Sequence, residues 1–239
     1  MRHSDFQRDG AAYLIRNPAV GSAIPSWLFE PASLDECDCI QGTSDGRRQA
    51  WFVHYAGLDL VLRHYWRGGM IARVSPDVYV RAGLGRTRPV AEYRLLLALR
   101  ERGLPVPEPV AARVQQPGRL SYRGDLITRR IPQALSFADR LRARVDHGLW
   151  AALGRTLARF HRAGALHADL NVRNILVDDA GAIWLIDWDR GRLGYTGKRG
   201  RRRNLERLRR SLAREPDLET CARAGWPELK RAYNATIND

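Results

Sequence analysis

The chain has 239 residues, 44% of them hydrophobic and 28% charged, the composition of a folded protein with apolar material for one core or two small lobes. Collagen-like, mucin-like and wholly disordered classes are excluded, and no apolar run approaches the ~18 residues of a membrane-spanning helix. Lysine plus arginine number 40 against 26 aspartates plus glutamates, a net charge of +14 that implies an anionic partner such as nucleic acid, acidic lipid headgroups or a phosphorylated substrate. Only Lys198 and Lys230 are lysines, so chemistry that needs a cation before residue 198 must use arginine or histidine. Charges in residues 1–12 occupy the place of an apolar signal core, and a cytoplasmic chain is expected. Cys37, Cys39 and Cys221 have the spacing of neither a zinc site nor a disulfide framework, and all three are expected reduced.

In chain order, residues 1–38 read as an N-terminal extension without a functional account. Residues 42–46, bracketed by Gly42 and Gly46, form a candidate phosphate-covering turn, because glycine lets backbone N–H groups approach phosphate oxygens. Residues 50–56 and 60–65 are β-type runs joined by a turn at 57–59. Residues 88–102 are helical, with Thr87 as cap, Pro89 in the first turn and Gly103 past the end. The proline-rich stretch 103–109 is extended, and residues 125–131 are strand-like, the segment that in a kinase-like fold would link the lobes with its backbone on adenine. After Pro132 the pattern turns helical: Trp150, Leu153, Leu157 and Phe160 recur at helical spacing. Two short apolar runs, 175–177 and 183–186, are joined by an Asp-Asp-Ala-Gly turn into a second hairpin. The tail from Arg201 is a basic helix with Leu205, Leu208 and Leu212 on one core-facing side. This predicts a bilobal α+β architecture, with a β-rich lobe over 39–131 and a reduced helical lobe over 132–239.

The decisive segment runs from His167 through Asp169 to Asn174, then across the hairpin to Asp187. It has the form H-x-D-L-x-x-x-N, strand, turn, strand, Asp, the order of the kinase catalytic loop and its metal-binding aspartate. Phosphoryl transfer needs a carboxylate to accept the proton of the attacking hydroxyl and oxygen ligands for Mg²⁺ on the nucleotide phosphates. Asp169 is the candidate base, and Asn174 and Asp187 are the candidate metal ligands. His167 is expected to anchor the loop rather than carry protons. A kinase-like fold also requires a cation on the strand after the phosphate-covering turn. Arg63 occupies that place, on the strand face opposite Leu60, Leu62 and His64. Glu92 lies four and seven residues before Leu96 and Leu99 on an apolar helix stripe, so it needs a cation, and Arg63 is the economical partner.

With these residues in place the chain resembles the lipopolysaccharide-core kinases, and within them the kinases of 3-deoxy-D-manno-octulosonic acid (Kdo). Residues 62–65 with 67–69, 91–94, 103–107, 184–191 and the run from Asn204 to Leu212 carry the flanking likeness, which covers roughly residues 40–215. The resemblance implies ATP and Mg²⁺ as cofactors, a protein-kinase-like fold, and transfer of phosphate to the 4-hydroxyl of Kdo on a Kdo-lipid A precursor. It implies peripheral attachment to the anionic cytoplasmic side of the inner membrane of Gram-negative bacteria. It assigns Asp169 as base, Asn174 and Asp187 as Mg²⁺ ligands, and Arg63 with Glu92 as the phosphate-orienting pair. The basic run 198–203 suits an acceptor that carries a carboxylate and phosphates. The rivals are a soluble phosphotransferase of the aminoglycoside or choline type, whose cationic acceptors call for acidic sites, and a nucleic-acid-binding protein on a degenerate kinase fold. The kept Asp169, Asn174 and Asp187 argue against the second, and no nucleic acid is expected as partner. The ~50 residues after Asp187 are expected to be too few for a peptide-docking lobe of the protein-kinase kind.

Overall fold

A computed structural model describes residues 6–20, 24–44, 50–66, 79–80, 83–118, 121–143, 147–195 and 197–238. The chain divides into two compact units, residues 1–97 with 108–130 and residues 98–107 with 131–239.

The first unit is built on an antiparallel sheet. Its elements are β1 (Gln7–Asp9), β2 (Ala12–Arg16), α1 (Pro31–Glu36), β3 (Ile40–Thr43), β4 (Ala50–Tyr55), β5 (Leu58–His64), β6 (Tyr79–Val80), most of α2 (Arg88–Glu101), β7 (Pro109–Gly118) and β8 (Ser121–Arg129). The strand order is β1-β2-β7-β8-β5-β4-β3, with β6 paired to β8. Alternation along β5 sends Leu60 and Leu62 into a core shared with Leu14, Leu28, Phe29, Leu34, Val53, Val110 and Ile127. Arg63 belongs to the other face.

The described residues 6–20 and 24–38, expected as part of an extension, belong to this fold. β2 pairs with β7 from Ala12↔Gln115 to Arg16↔Ala111, and Leu28, Phe29 and Leu34 bury their side chains on the sheet. A buried ion cluster fixes them there. Asp125, 2% exposed, bonds His64 Nδ1 at 2.6 Å and accepts from Arg113 Nε at 2.8 Å. Arg113 also donates to Glu30 and to the Phe29 carbonyl, so all three partners of a buried guanidinium are oxygens. Asp125 thus lies inside β8, bonded to strand neighbours, where a linker was expected.

The β4–β5 turn falls one residue earlier than expected. Ala56 and Gly57 are its central pair, with φ of 50° and 73°, and Tyr55 pairs with Leu58. Two left-handed residues make the tight hairpin turn whose twist matches the strands, which frees Leu58 and Asp59 to enter β5. The cysteine expectation is also corrected. Cys37 and Cys39 are joined in a disulfide across Asp38, whose φ of 53° folds the chain back so that the two Cα atoms lie 5.3 Å apart; Cys221 is free.

Helix α2 begins as the sequence predicts, with a difference in the cap. The Thr87 carbonyl accepts the first helical N–H, from Ala91, but its hydroxyl donates to Leu84 O at 2.7 Å. Gly103 closes the helix at φ 66°, with Gly103 N–H on Arg100 O and Leu104 N–H on Leu99 O, the paired bonds of a glycine C-cap.

The second unit holds β9 (Leu135–Ser136), α3 (Phe137–Ala143), α4 (His147–Arg162), β10 (Ile175–Val177), β11 (Ile183–Leu185), α5 (Lys198–Leu212) and α6 (Glu219–Asn238). The three strands form a sheet in the order β11-β10-β9. The β10–β11 turn is the one read from the sequence, closed by Gly181 N–H on Asp178 O and by Asp178 N–H on Ala182 O. Trp150, Leu153, Leu157 and Phe160 of α4 are all buried, as are Leu205, Leu208 and Leu212 of α5. Helices α4 and α6 cross closely because glycine stands at both contact points. A Cβ on Gly154 would lie 2.3 Å from Leu229 O, and one on Gly225 would lie 2.2 Å from Trp150 Nε1. Gly225→Ala is therefore expected to lower stability by about 1–3 kcal/mol through overpacking. Chemical denaturation of the purified variant checks this, and wild-type stability would show that the crossing is looser than described.

Candidate active site

Gly164, at φ 74°, ends α4 with the same capping pair of bonds, Gly164 N–H on His161 O and Ala165 N–H on Phe160 O. The chain then runs extended, Leu166 exchanging backbone bonds with Arg192, and delivers His167 into the interior at 2% exposure. His167 Nδ1 accepts the Asp169 N–H at 3.1 Å, so Nε2 carries the proton and donates to Ile186 O at 2.8 Å. One imidazole thereby ties the catalytic loop to the segment that carries Asp187.

Asn171 shapes the turn that follows. Its Oδ1 accepts from Arg173 N and Asn174 N, capping the 3₁₀ turn Val172–Asn174, and its Nδ2 donates to Asp169 O and Oδ2. Asn174 Nδ2 donates to Asp169 O at 2.9 Å, and the Asn174 carbonyl accepts Ile186 N–H at 3.0 Å. Asn174 Oδ1 accepts no hydrogen bond among the described residues. Asp187 stands beside that junction in the left-handed region, φ 59°, a conformation that costs about 1 kcal/mol or more for a residue with a Cβ and persists only when its surroundings enforce it. The enforcement comes from Trp188, 1% exposed, which stacks on Phe160 at 5.2 Å, meets His167 edge-on at 4.8 Å and donates Nε1–H to Leu185 O.

Behind the loop lies a buried amide. Asn204 of α5 is 8% exposed; its Nδ2 donates to His167 O at 2.7 Å, and its Oδ1 accepts His167 N–H at 3.1 Å. The same Oδ1 lies 3.3 Å from His161 Nε2, which must be the donor there, and His161 Nδ1 then accepts the Tyr233 hydroxyl at 2.8 Å. Burial pushes the His161 pKa down to about 4, the Asn204 bond pulls against it and Arg201 adds to the lowering, so His161 is neutral at physiological pH.

The second unit thus ties Asp169 and Asn174 into one hydrogen-bonded assembly that reaches Ile186, the residue before Asp187. The Asp169 carboxylate is 62% exposed, with Arg207 Nη1 at 3.3 Å from Oδ1. In the first unit Glu92, 2% exposed, receives Arg63 Nη2 at 2.5 Å and the Tyr65 hydroxyl. A buried carboxylate needs such partners, and stripping one away costs about 3–5 kcal/mol. Gly42 does not lie in a turn: it belongs to β3 and pairs with Phe52, next to a register shift, because the strand runs past it to Thr43. Gly46 lies outside the described residues. Sequence reasoning missed Asn171, Tyr65, Asn204 as a clamp, and Arg207. For Asn204 the signal was its place four residues before Leu208, on the buried stripe of an otherwise basic helix.

The order of these parts along the chain is that of a kinase catalytic loop, and comparison with known proteins gives the family. The model of the lipopolysaccharide kinase (Kdo/WaaP) family matches residues 36–233. A 3-deoxy-D-manno-octulosonic acid kinase of Stenotrophomonas maltophilia is 45% identical over 196 residues, 81% of this chain and 78% of that one. A protein of the same name from Xylella fastidiosa is 41% identical over 223 residues, covering 92% of this chain and 86% of its own. Among solved structures, WaaP in complex with acyl carrier protein superposes with a TM-score of 0.56 at 18% identity over 93% of this chain and 88% of that one, a likeness of fold. The chain belongs to the lipopolysaccharide kinase (Kdo/WaaP) family. It has the bilobal α+β fold of protein-kinase-like enzymes and is an ATP-dependent phosphotransferase with an alcohol acceptor, acting in lipopolysaccharide biosynthesis.

The buried His161 has a consequence for stability. Between pH 6.5 and about 4 the unfolded chain binds a proton at this histidine that the folded chain does not, so stability falls as pH falls through that window. The shift corresponds to about 3 kcal/mol in total. His161→Gln, which takes up no proton, is expected to flatten that part of the curve of unfolding free energy against pH, and an unchanged slope would place the titration elsewhere. Asn204→Ala strands the His167 N–H and C=O, each left-over buried group costing about 1–3 kcal/mol. It is expected to lower both melting temperature and kcat; wild-type turnover would show that the loop holds its shape without the amide.

Proposed function

We propose that this chain transfers the γ-phosphoryl group of ATP to the 4-hydroxyl of Kdo on a Kdo-lipid A precursor, with Mg²⁺, in assembly of the lipopolysaccharide inner core. The observation that carries the reading is the exposed Asp169 carboxylate on a loop whose backbone is held from behind by His167, Asn171 and Asn204. Kdo as acceptor is supported by the relatives that carry the name 3-deoxy-D-manno-octulosonic acid kinase, two of them 45% and 41% identical to this chain.

Asp169 orients the acceptor hydroxyl and takes its proton as the oxygen attacks phosphorus. Mg²⁺ fits the donors at hand: Asn174 Oδ1 and the Asp187 carboxylate are hard oxygens, and a nucleotide-bound ion completes its shell with phosphate oxygens and water. Bound there, the ion neutralises charge on the transferring phosphate. Arg63 stands where a lysine usually does. A guanidinium presents five N–H donors in a rigid fork, enough to hold Glu92 and reach the α- and β-phosphates together.

The acceptor is a lipid, and the exposed Lys198, Arg199, Arg202 and Arg203 at the start of α5 are proposed to hold the chain at the anionic cytoplasmic face of the inner membrane. No helix among the described residues is long and apolar enough to cross a membrane.

Asp169→Asn tests the reading. With Mg-ATP and Kdo-lipid A precursor it is expected to lower kcat by about 10²–10⁴-fold and leave the KM for ATP within a few-fold of wild type. Wild-type turnover by the variant would remove Asp169 from the chemistry.

A further inference from the structure

Helix α5 presents Arg207, Arg210, Ser211 and, just beyond its end, Arg214 at spacings of three, four and seven residues, hence along one side. This stripe lies against the catalytic loop. Ser211 Oγ accepts Val172 N–H at 3.1 Å, which fixes the spacing between helix and loop. Between them is a cleft of about 420 Å³, lined by Asp169, Asn171, Arg173 and Glu215 as well as the stripe. That is the size of a small-molecule site, and the candidate base lies in its wall.

The charge in the cleft is unbalanced. Glu215, 14% exposed, is committed to Arg142 at 2.7 Å and to Arg173 at 3.3 Å. Arg210 and Arg214 form no ion pair among the described residues. Arg207 is the third cation, and it sits on Asp169 Oδ1 at 3.3 Å, while Asn171 Nδ2 takes Oδ2 at 3.2 Å. Both groups of the Arg207–Asp169 pair are exposed, 48% and 62%, and exposed pairs of this kind contribute at most about 1 kcal/mol. Arg207 therefore moves readily to an oxyanion placed to receive it bidentately.

We propose that Arg207, Arg210 and Arg214 form a subsite for the carboxylate of the acceptor sugar acid, and that Arg207 leaves Asp169 for that carboxylate when the acceptor binds. The inference rests on the functional reading above and adds a specificity element to it. In Kdo the carboxylate and the 4-hydroxyl are substituents of one ring, on C2 and C4, with a single ring carbon between them. A hydroxyl delivered to Asp169 thus brings its own carboxylate to the guanidinium that covers Asp169. Binding of the acceptor uncovers the base, and a neutral sugar leaves it covered. The phosphates of the lipid A backbone share the anionic chemistry but lie on a different sugar, so they do not track the attacking oxygen.

The test is steady-state kinetics of the full chain with Mg-ATP and three acceptors: Kdo-lipid A precursor, the same precursor with the Kdo carboxylate methyl-esterified, and a precursor lacking the lipid A phosphates. For the wild type, esterification is expected to raise the acceptor KM by about tenfold or more. Arg207→Gln and Arg210→Gln are expected to raise the KM for the native acceptor similarly and to lose most of the discrimination against the ester. The KM for ATP and the melting temperature should stay unchanged, and Arg210→Lys should recover part of the loss. An ester penalty as large in the variants as in the wild type overturns the proposal, as does a penalty that follows the lipid A phosphates instead. Absence of any transfer to the native acceptor by the wild type overturns the functional reading itself, a result distinct from transfer that ignores the arginines.

Discussion

One buried amide organises the second unit of this protein. Asn204 gives its N–H to the carbonyl of His167 and takes N–H groups from the His167 backbone and the His161 ring, so three hydrogen bonds converge on a side chain 8% exposed. Every member of that network is neutral, His161 because burial keeps it unprotonated down to about pH 4. A neutral, fully bonded interior can be packed without the desolvation cost of buried charge, and it locks the loop because each broken bond would strand a buried polar group. The charges of this unit are left at the surface, where Asp169 and the arginines of α5 meet solvent.

The first unit solves its polar problem differently. It buries two carboxylates and neutralises each with arginine: Glu92 with Arg63 and Tyr65, Asp125 with Arg113 and His64. Such clusters give little net stability beside apolar packing of equal volume, but removing one partner is costly, so they hold side chains in one geometry. Arg113 uses its fork to tie residues 29 and 30 to the sheet. Arg63 uses its fork to stand beside Glu92 in a lysine-poor chain, where a planar donor with several N–H groups takes over from a single ammonium.

Much of this was legible in the residues. The order His167, Asp169, Asn174, hairpin, Asp187 is a local pattern, and local patterns survive folding: the turn at 178–181 and the buried stripe of α4 lie where periodicity put them. The Arg63–Glu92 pair was readable because an acid on an apolar helix stripe demands a cation. What escaped was long-range or polar. β1 and β2 are short strands: β2 finds its place by pairing with β7, about a hundred residues away, and β1 by pairing with β2. Most of α6 was hidden by Gly225 and Pro227, which break a helical pattern in sequence, although Gly225 stands where Trp150 of α4 approaches closely. Asn204 sits in a run of arginines that reads as a solvated face, and only its phase with the leucines marks it as buried. The Cys37–Cys39 bridge depends on the left-handed turn at Asp38, a backbone choice that cysteine spacing does not reveal.

On the function proposed above, the loop bearing Asp169 directs phosphate from ATP to one hydroxyl of a Kdo residue. Fragment-ion mass spectrometry of the acceptor recovered after incubation with the wild-type chain and Mg-ATP addresses it most directly. The account requires a single added phosphate, carried on the 4-oxygen of Kdo, with the lipid A sugars unmodified. A phosphate found on a lipid A sugar, or an acceptor recovered unchanged while ATP is consumed, would contradict it.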